Sequence, residues 1–76
     1  MTTSIATFAS LLRDLRTARK LSQRELSRQA GMNENNVGQF ESGAREPSYR
    51  NLVRLARALN VTLAAFDPDR KFRENS

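Results

Sequence analysis

Two helix starts and two helix stops crowded into residues 21–43 constrain this chain most. Ser22-Gln23-Arg24-Glu25 has the form of a capping box. Its hydroxyl can accept from a free backbone N–H of the first turn, while the Glu three residues on reaches back to the N–H of the cap. Leu21 and Leu26 flank it at the spacing of a hydrophobic staple. Gly31 offers the left-handed residue that ends such a helix. Asn33 follows as the next cap, with Met32 and Val37 as its staple and Gly43 as its stop. The spacing therefore predicts two short helices whose caps lie 11 residues apart, joined by a turn of about three residues.

The flanking sequence is helical as well. Phe8, Leu12, Leu15 and the aliphatic stem of Arg19 share one face of a predicted helix over 7–19, and Ile5 extends the stripe toward an earlier start near Ser4. A fourth helix is expected after Pro47, capped by Ser48, burying Leu52, Leu55, Ala56 and Leu59 and ended by Asn60 in the left-handed conformation. Thr62 is expected to cap a short fifth helix stapled by Val61 and Phe66 and closed by Pro68. No segment alternates with the period of a strand. The expected fold class is all-α, a compact five-helix domain over residues 1–66 with a charged, frayed tail at 67–76.

At 76 residues there is room for one domain, and one this small is marginally stable. With no Cys, neither a disulfide nor a thiolate metal site can add to it, whereas a second subunit could. No apolar run reaches membrane-spanning length and the start lacks a signal-peptide pattern, so a cytoplasmic protein with no membrane association is expected. Enzymatic function is not expected: there is no His and no Cys, and the carboxylates do not pair as acid and base. No cofactor or metal is expected either. The 13 basic residues outnumber the 8 acidic ones, and Lys20 and Lys71 are the only lysines, leaving 11 Arg. Arg forks match phosphate and guanine edges, so the charge leans toward nucleic acid.

The second and third helices together have the form of a helix-turn-helix. On a helical wheel for the third, Val37 and Phe40 turn to the core while Asn35, Gln39 and Ser42 lie on the opposite face. All three can donate and accept, as base edges require, where a merely solvated face would more often carry Lys and Glu. Arg50, Arg54 and Arg57 cluster on one face of the fourth helix. They read as a solvated basic face or as phosphate ligands, with Arg50 best placed for phosphate.

Leu21-Ser22-Gln23-Arg24-Glu25-Leu26, Ala30-Gly31-Met32, Val37-Gly38-Gln39-Phe40-Glu41-Ser42-Gly43, Pro47-Ser48 and the run from Leu52 to Val61 resemble the lambda-repressor-like helix-turn-helix family, often called Xre. The resemblance covers residues 8–66. It implies a third helix, about 33–42, lying in the major groove of double-stranded DNA. It places Gln23, with the cap residue Ser22, among the phosphate contacts, along with Arg45 in the following loop. Asn36 matches a position that touches phosphate or a base. Glu34, Asn35 and Gln39 match base-contacting positions, and Ser42 shares their face. Glu34 brings negative charge toward DNA. It reads either as an acceptor for cytosine N4 or as an acidic residue favouring a helix N-terminus. Gly38, mid-helix, reads either as relief from crowding against the DNA backbone or as room for close approach to bases. The family pairs a Glu at the position of Glu41 with an Arg at that of Arg16, a structural ion pair rather than a base contact.

The function so implied is a sequence-specific transcriptional regulator, of the phage-repressor or restriction-modification-controller kind, acting on a palindromic operator as a homodimer. Leu63 and Ala64 are expected to face outward from a helix too short to bury every apolar residue, and form the expected dimer surface. The alternative is an antitoxin that binds a toxin protein and autoregulates its operon, for which 67–76 is the only spare segment.

Overall fold

The computed structural model describes residues 7–67. Their elements are α1 (Phe8–Ala18), α2 (Gln23–Gln29), α3 (Asn36–Ser42) and α4 (Tyr49–Leu59), followed by a 3-10 turn at Leu63–Phe66. No strand occurs among the described residues. The expected extension of the first helix toward Ser4, the closing Pro68 and the tail beyond Asp67 lie outside them.

Local chemistry accounts for most of the boundaries. Thr7 caps α1 in a reciprocal box with Ser10: Thr7 Oγ1 accepts from the Ser10 N–H at 3.2 Å and Ser10 Oγ from the Thr7 N–H at 3.1 Å. Ser22 and Glu25 form the box at the start of α2, with distances of 3.0 and 2.8 Å. Ser48 caps α4 by accepting from the Asn51 N–H at 3.2 Å. Gly43 ends α3 at φ +81°, and Asn60 ends α4 at φ +58°. Lys20 takes the same left-handed conformation after α1 at φ +59°, where the Leu21 N–H closes back on the Arg16 carbonyl at 3.2 Å.

Three expectations are corrected. The third helix starts at Asn36 rather than after an Asn33 cap. Asn33 instead folds the preceding turn, its Oδ1 accepting from the Asn35 N–H at 3.0 Å and its carbonyl from the Asn36 N–H at 3.0 Å. An Asn side chain that bonds two residues on makes a turn of its own, and this one postpones the helix. The fifth helix is a single 3-10 turn of four residues without a side-chain cap from Thr62, so the described residues form four α-helices and a turn. Leu52 is half-buried rather than in the core.

The core forms where the helices meet. Leu12, Leu26, Ala30, Val37, Phe40, Leu55, Ala56, Leu59 and Phe66 are buried together. Phe8 lids them, its ring 5.3 Å from that of Phe66 and 6.4 Å edge-on from that of Phe40. The side chain of Arg19 donates to the Leu59 carbonyl, which fastens the end of α1 to the end of α4. Against this frame α3 exposes its other side.

Candidate nucleic-acid interface

The angle between α2 and α3 is held by Ser27, a polar residue with no solvent exposure. Its hydroxyl donates to the Gln23 carbonyl at 2.9 Å and accepts from the Val37 N–H at 3.1 Å. Asn35 precedes α3 but makes no side-chain cap bond, so one of the donors orphaned at that helix start is met from the neighbouring helix instead. Sequence reasoning passed over Ser27. The available signal was a hydroxyl between Leu26 and Ala30, at core spacing.

A second tie runs from α1 to α3. Arg16 Nε donates to Glu41 Oε2 at 2.6 Å and Arg16 Nη2 to Glu41 Oε1 at 3.0 Å, while Nη1 donates to the Leu21 carbonyl at 2.8 Å. The two side chains are 13% and 5% exposed. The hydrogen bond to Glu41 raises the Arg16 pKa above its ordinary value, outweighing the effect of burial. Glu41 serves a third partner: Gln23 Nε2 donates to its Oε1 at 3.0 Å. Nothing in the sequence pointed to that bond, which joins the first residue of α2 to the buried ion pair.

On the outward side of α3, Asn35 is exposed and Gln39 half-exposed. Gln39 Oε1 accepts from Arg45 Nη1 at 3.4 Å, which brings the loop arginine beside it. Asn36 is half-exposed. Ser42 is exposed, but its hydroxyl is engaged locally, donating to the Gln39 carbonyl at 3.1 Å and accepting from the Ala44 N–H at 3.3 Å. That leaves one lone pair to offer outward. Glu34 sits in the turn before α3, so it is not the first helical residue, and its carboxylate lies 3.6 Å from Arg24 Nε. The pair is exposed, and Arg24 offsets the negative charge.

Gly38 occupies the middle of α3, where Gly costs roughly 1 kcal/mol relative to Ala. Its near neighbour is the side chain of Gln23. Arg50, Arg54 and Arg57 stand exposed on α4 and, with Tyr49 and Val53, line a shallow open groove. Tyr49 is 71% exposed, which the sequence did not mark. Leu63 is 37% exposed and Ala64 beside it is exposed, while Ala65 and Phe66 turn inward. Among the described residues no group of His, Cys, Asp and Glu could hold a metal ion, and no helix is long and apolar enough to cross a membrane.

Two short helices joined by a tight turn and tied through Ser27, the second presenting amides outward from a basic surround, define a helix-turn-helix. The helix-turn-helix family profile matches residues 12–66, and the chain belongs to that family. It is 44% identical over 52 residues to an uncharacterised HTH-type transcriptional regulator, y4dL, of Sinorhizobium fredii, a match over 68% of this chain and 26% of that protein. The chain thus spans about a quarter of the length of that relative. Among solved structures it is similar to the restriction-modification controller protein C.AhdI of Aeromonas hydrophila, at 39% identity and a TM-score of 0.75, over 78% of this chain and 89% of that one. The P22 c2 repressor, solved in complex with a synthetic operator, shares the fold at 24% identity and a TM-score of 0.74, over 80% of this chain and 92% of that one.

Proposed function

We propose that this chain is a sequence-specific DNA-binding transcriptional regulator that places α3 in the major groove and binds a two-fold operator as a homodimer. The observation that carries the reading is the division of α3. Val37 and Phe40 are buried, while Asn35 and Gln39 project from the other side beside Arg45. The major groove admits an α-helix, and Asn and Gln amides match adenine N6 and N7 in pairs. Ser22, Gln23, Asn36, Arg45 and Arg50 supply the phosphate contacts that set register, and Asn35, Gln39, Ser42 and Glu34 face the bases. Similarity to a controller protein and to an operator-binding repressor supports the same reading.

One such helix reads only a few base pairs, too few to single out one site among many. A second copy doubles the reading and makes the operator palindromic, with half-sites about 34 Å apart. Leu63 and Ala64 are the apolar residues left outside the core at the end of the fold, and they form the proposed surface between copies.

Selection of duplexes from a random pool tests the proposal, followed by Kd measurements on the selected site and on random DNA. Gln39→Ala is expected to cost about 1–3 kcal/mol on the selected site and little on random DNA. Arg45→Ala is expected to weaken both alike. A pool that yields no shared sequence, or equal profiles for the two variants, would refute the assignment.

A further inference from the structure

Gly38 carries no left-handed backbone, unlike Gly31 and Gly43, so conformational freedom does not explain a glycine there. What surrounds it does. A Cβ built on Gly38 would stand 3.0 Å from Gln23 Oε1, 3.6 Å from its Cδ and 4.0 Å from its Nε2. The Gln23 amide therefore borders the space that a side chain at residue 38 would fill, its oxygen end nearest. Its nitrogen end points at Glu41 Oε1, 3.0 Å away, and Glu41 is itself clamped by two bonds from Arg16.

The chemistry of Glu41 fixes which way round that amide sits. A carboxylate only accepts, so it attracts the NH2 end of Gln23 and repels the carbonyl end. One amide N–H is used on Glu41, and the second remains to donate elsewhere. A phosphate oxygen is also a pure acceptor, so the remaining N–H can serve it. We infer that Gly38 and Glu41 are positioning residues for Gln23, holding its amide so that the free N–H meets a DNA phosphate. The inference rests on the DNA-binding reading above and gives the mid-helix glycine a purpose: it keeps clear the floor on which the amide lies.

The test is a cycle of Gly38→Ala, Gln23→Ala and the double variant, with Kd for selected and random duplex and the melting temperature of each. In Gly38→Ala the atom displaced is the far end of a flexible side chain, so the fold holds. The better helix former is expected to leave the melting temperature unchanged or raise it by about 2–8 °C. Kd is expected to rise about three- to tenfold on both duplexes, the worth of one hydrogen bond. In the Gln23→Ala background, Gly38→Ala is expected to have no further effect. An undiminished effect in that background would mean the new methyl group meets DNA directly, and wild-type affinity in Gly38→Ala would mean the amide needs no floor. Either overturns the inference.

Side-chain NMR of the free protein separates this from the DNA reading. The Gln23 NH2 is expected to be ordered in the wild type and released in Gly38→Ala, and a mobile wild-type amide overturns the inference whatever the chain binds. If the wild type binds no duplex, the DNA reading falls and the phosphate role with it. The amide readout then still decides whether Gly38 and Glu41 fix the side chain.

Discussion

Ser27→Ala removes a single oxygen from the joint between α2 and α3, and its cost can be worked out bond by bond. The Gln23 carbonyl loses the hydroxyl bond but keeps the ordinary bond of its own helix, since the Ser27 N–H lies four residues on. The Val37 N–H has no such fallback. It stands in the first turn of α3, where no intrahelical acceptor exists, and Ser27 Oγ at 3.1 Å is its partner. Val37 is buried, so water cannot replace that partner without opening the core. An orphaned buried donor costs about 1–3 kcal/mol. In a domain of this size that lowers the melting temperature by roughly 4–8 °C per kcal/mol. Thermal unfolding followed by circular dichroism gives the magnitude, and amide hydrogen exchange gives the location. The Val37 amide is expected to lose protection while amides in α4 change only with the global stability. A variant that melts with the wild type, or one whose Val37 amide stays as protected as before, would refute the bridging role.

The Arg16–Glu41 pair and the capping box at Ser22 yield two more predictions. Arg16→Met leaves a 5% exposed carboxylate without its cation and is expected to cost about 3–5 kcal/mol. Adding Glu41→Leu is expected to recover most of that loss while leaving DNA affinity low, because Gln23 loses its anchor; chemical denaturation and duplex binding on the same samples check both. The Glu25 carboxyl is held below its usual range by hydrogen bonds with the backbone and hydroxyl of Ser22. Its folded pKa is depressed, so the box contributes stability above the unfolded pKa and loses it as pH falls through the folded value. Glu25→Gln, which can still bond the cap, is expected to flatten this part of the acid response in a pH series of melting curves.

The features legible in the sequence are those with short range. Ser22 with Glu25, Gly43, Ser48 and Asn60 each mark a boundary by chemistry confined to a few residues, and each stands where that chemistry puts it. Asn33 shows the limit of such signals, because the same side chain that starts a helix can start a turn, and nothing nearby distinguishes the two. The segment after Thr62 is ambiguous in the sequence because four apolar-rich residues can close as a 3-10 turn as readily as an α-helical one. The candidate site is legible as a face: the wheel separates Val37 and Phe40, which are buried, from Asn35 and Gln39, which are not. Its internal wiring is not. Gln23 to Glu41, Ser27 to Val37 and Gln39 to Arg45 join residues brought together by helix packing or by a loop's path. Spacing along the chain carries no trace of them.

The arginine face of α4 bears on how crowded molecules of this protein behave toward one another. Arg50, Arg54 and Arg57 share one side of a single helix and are exposed, and none makes an ion pair among the described residues. Two copies meeting through that side would set like charges against each other, at about 0.5 kcal/mol for each pair across ~8 Å of water before screening. The face is thus self-avoiding. It disfavours encounters between copies through that side of α4. That protection weakens as ionic strength rises, so any tendency to clump through this side should surface in concentrated salt rather than in dilute buffer.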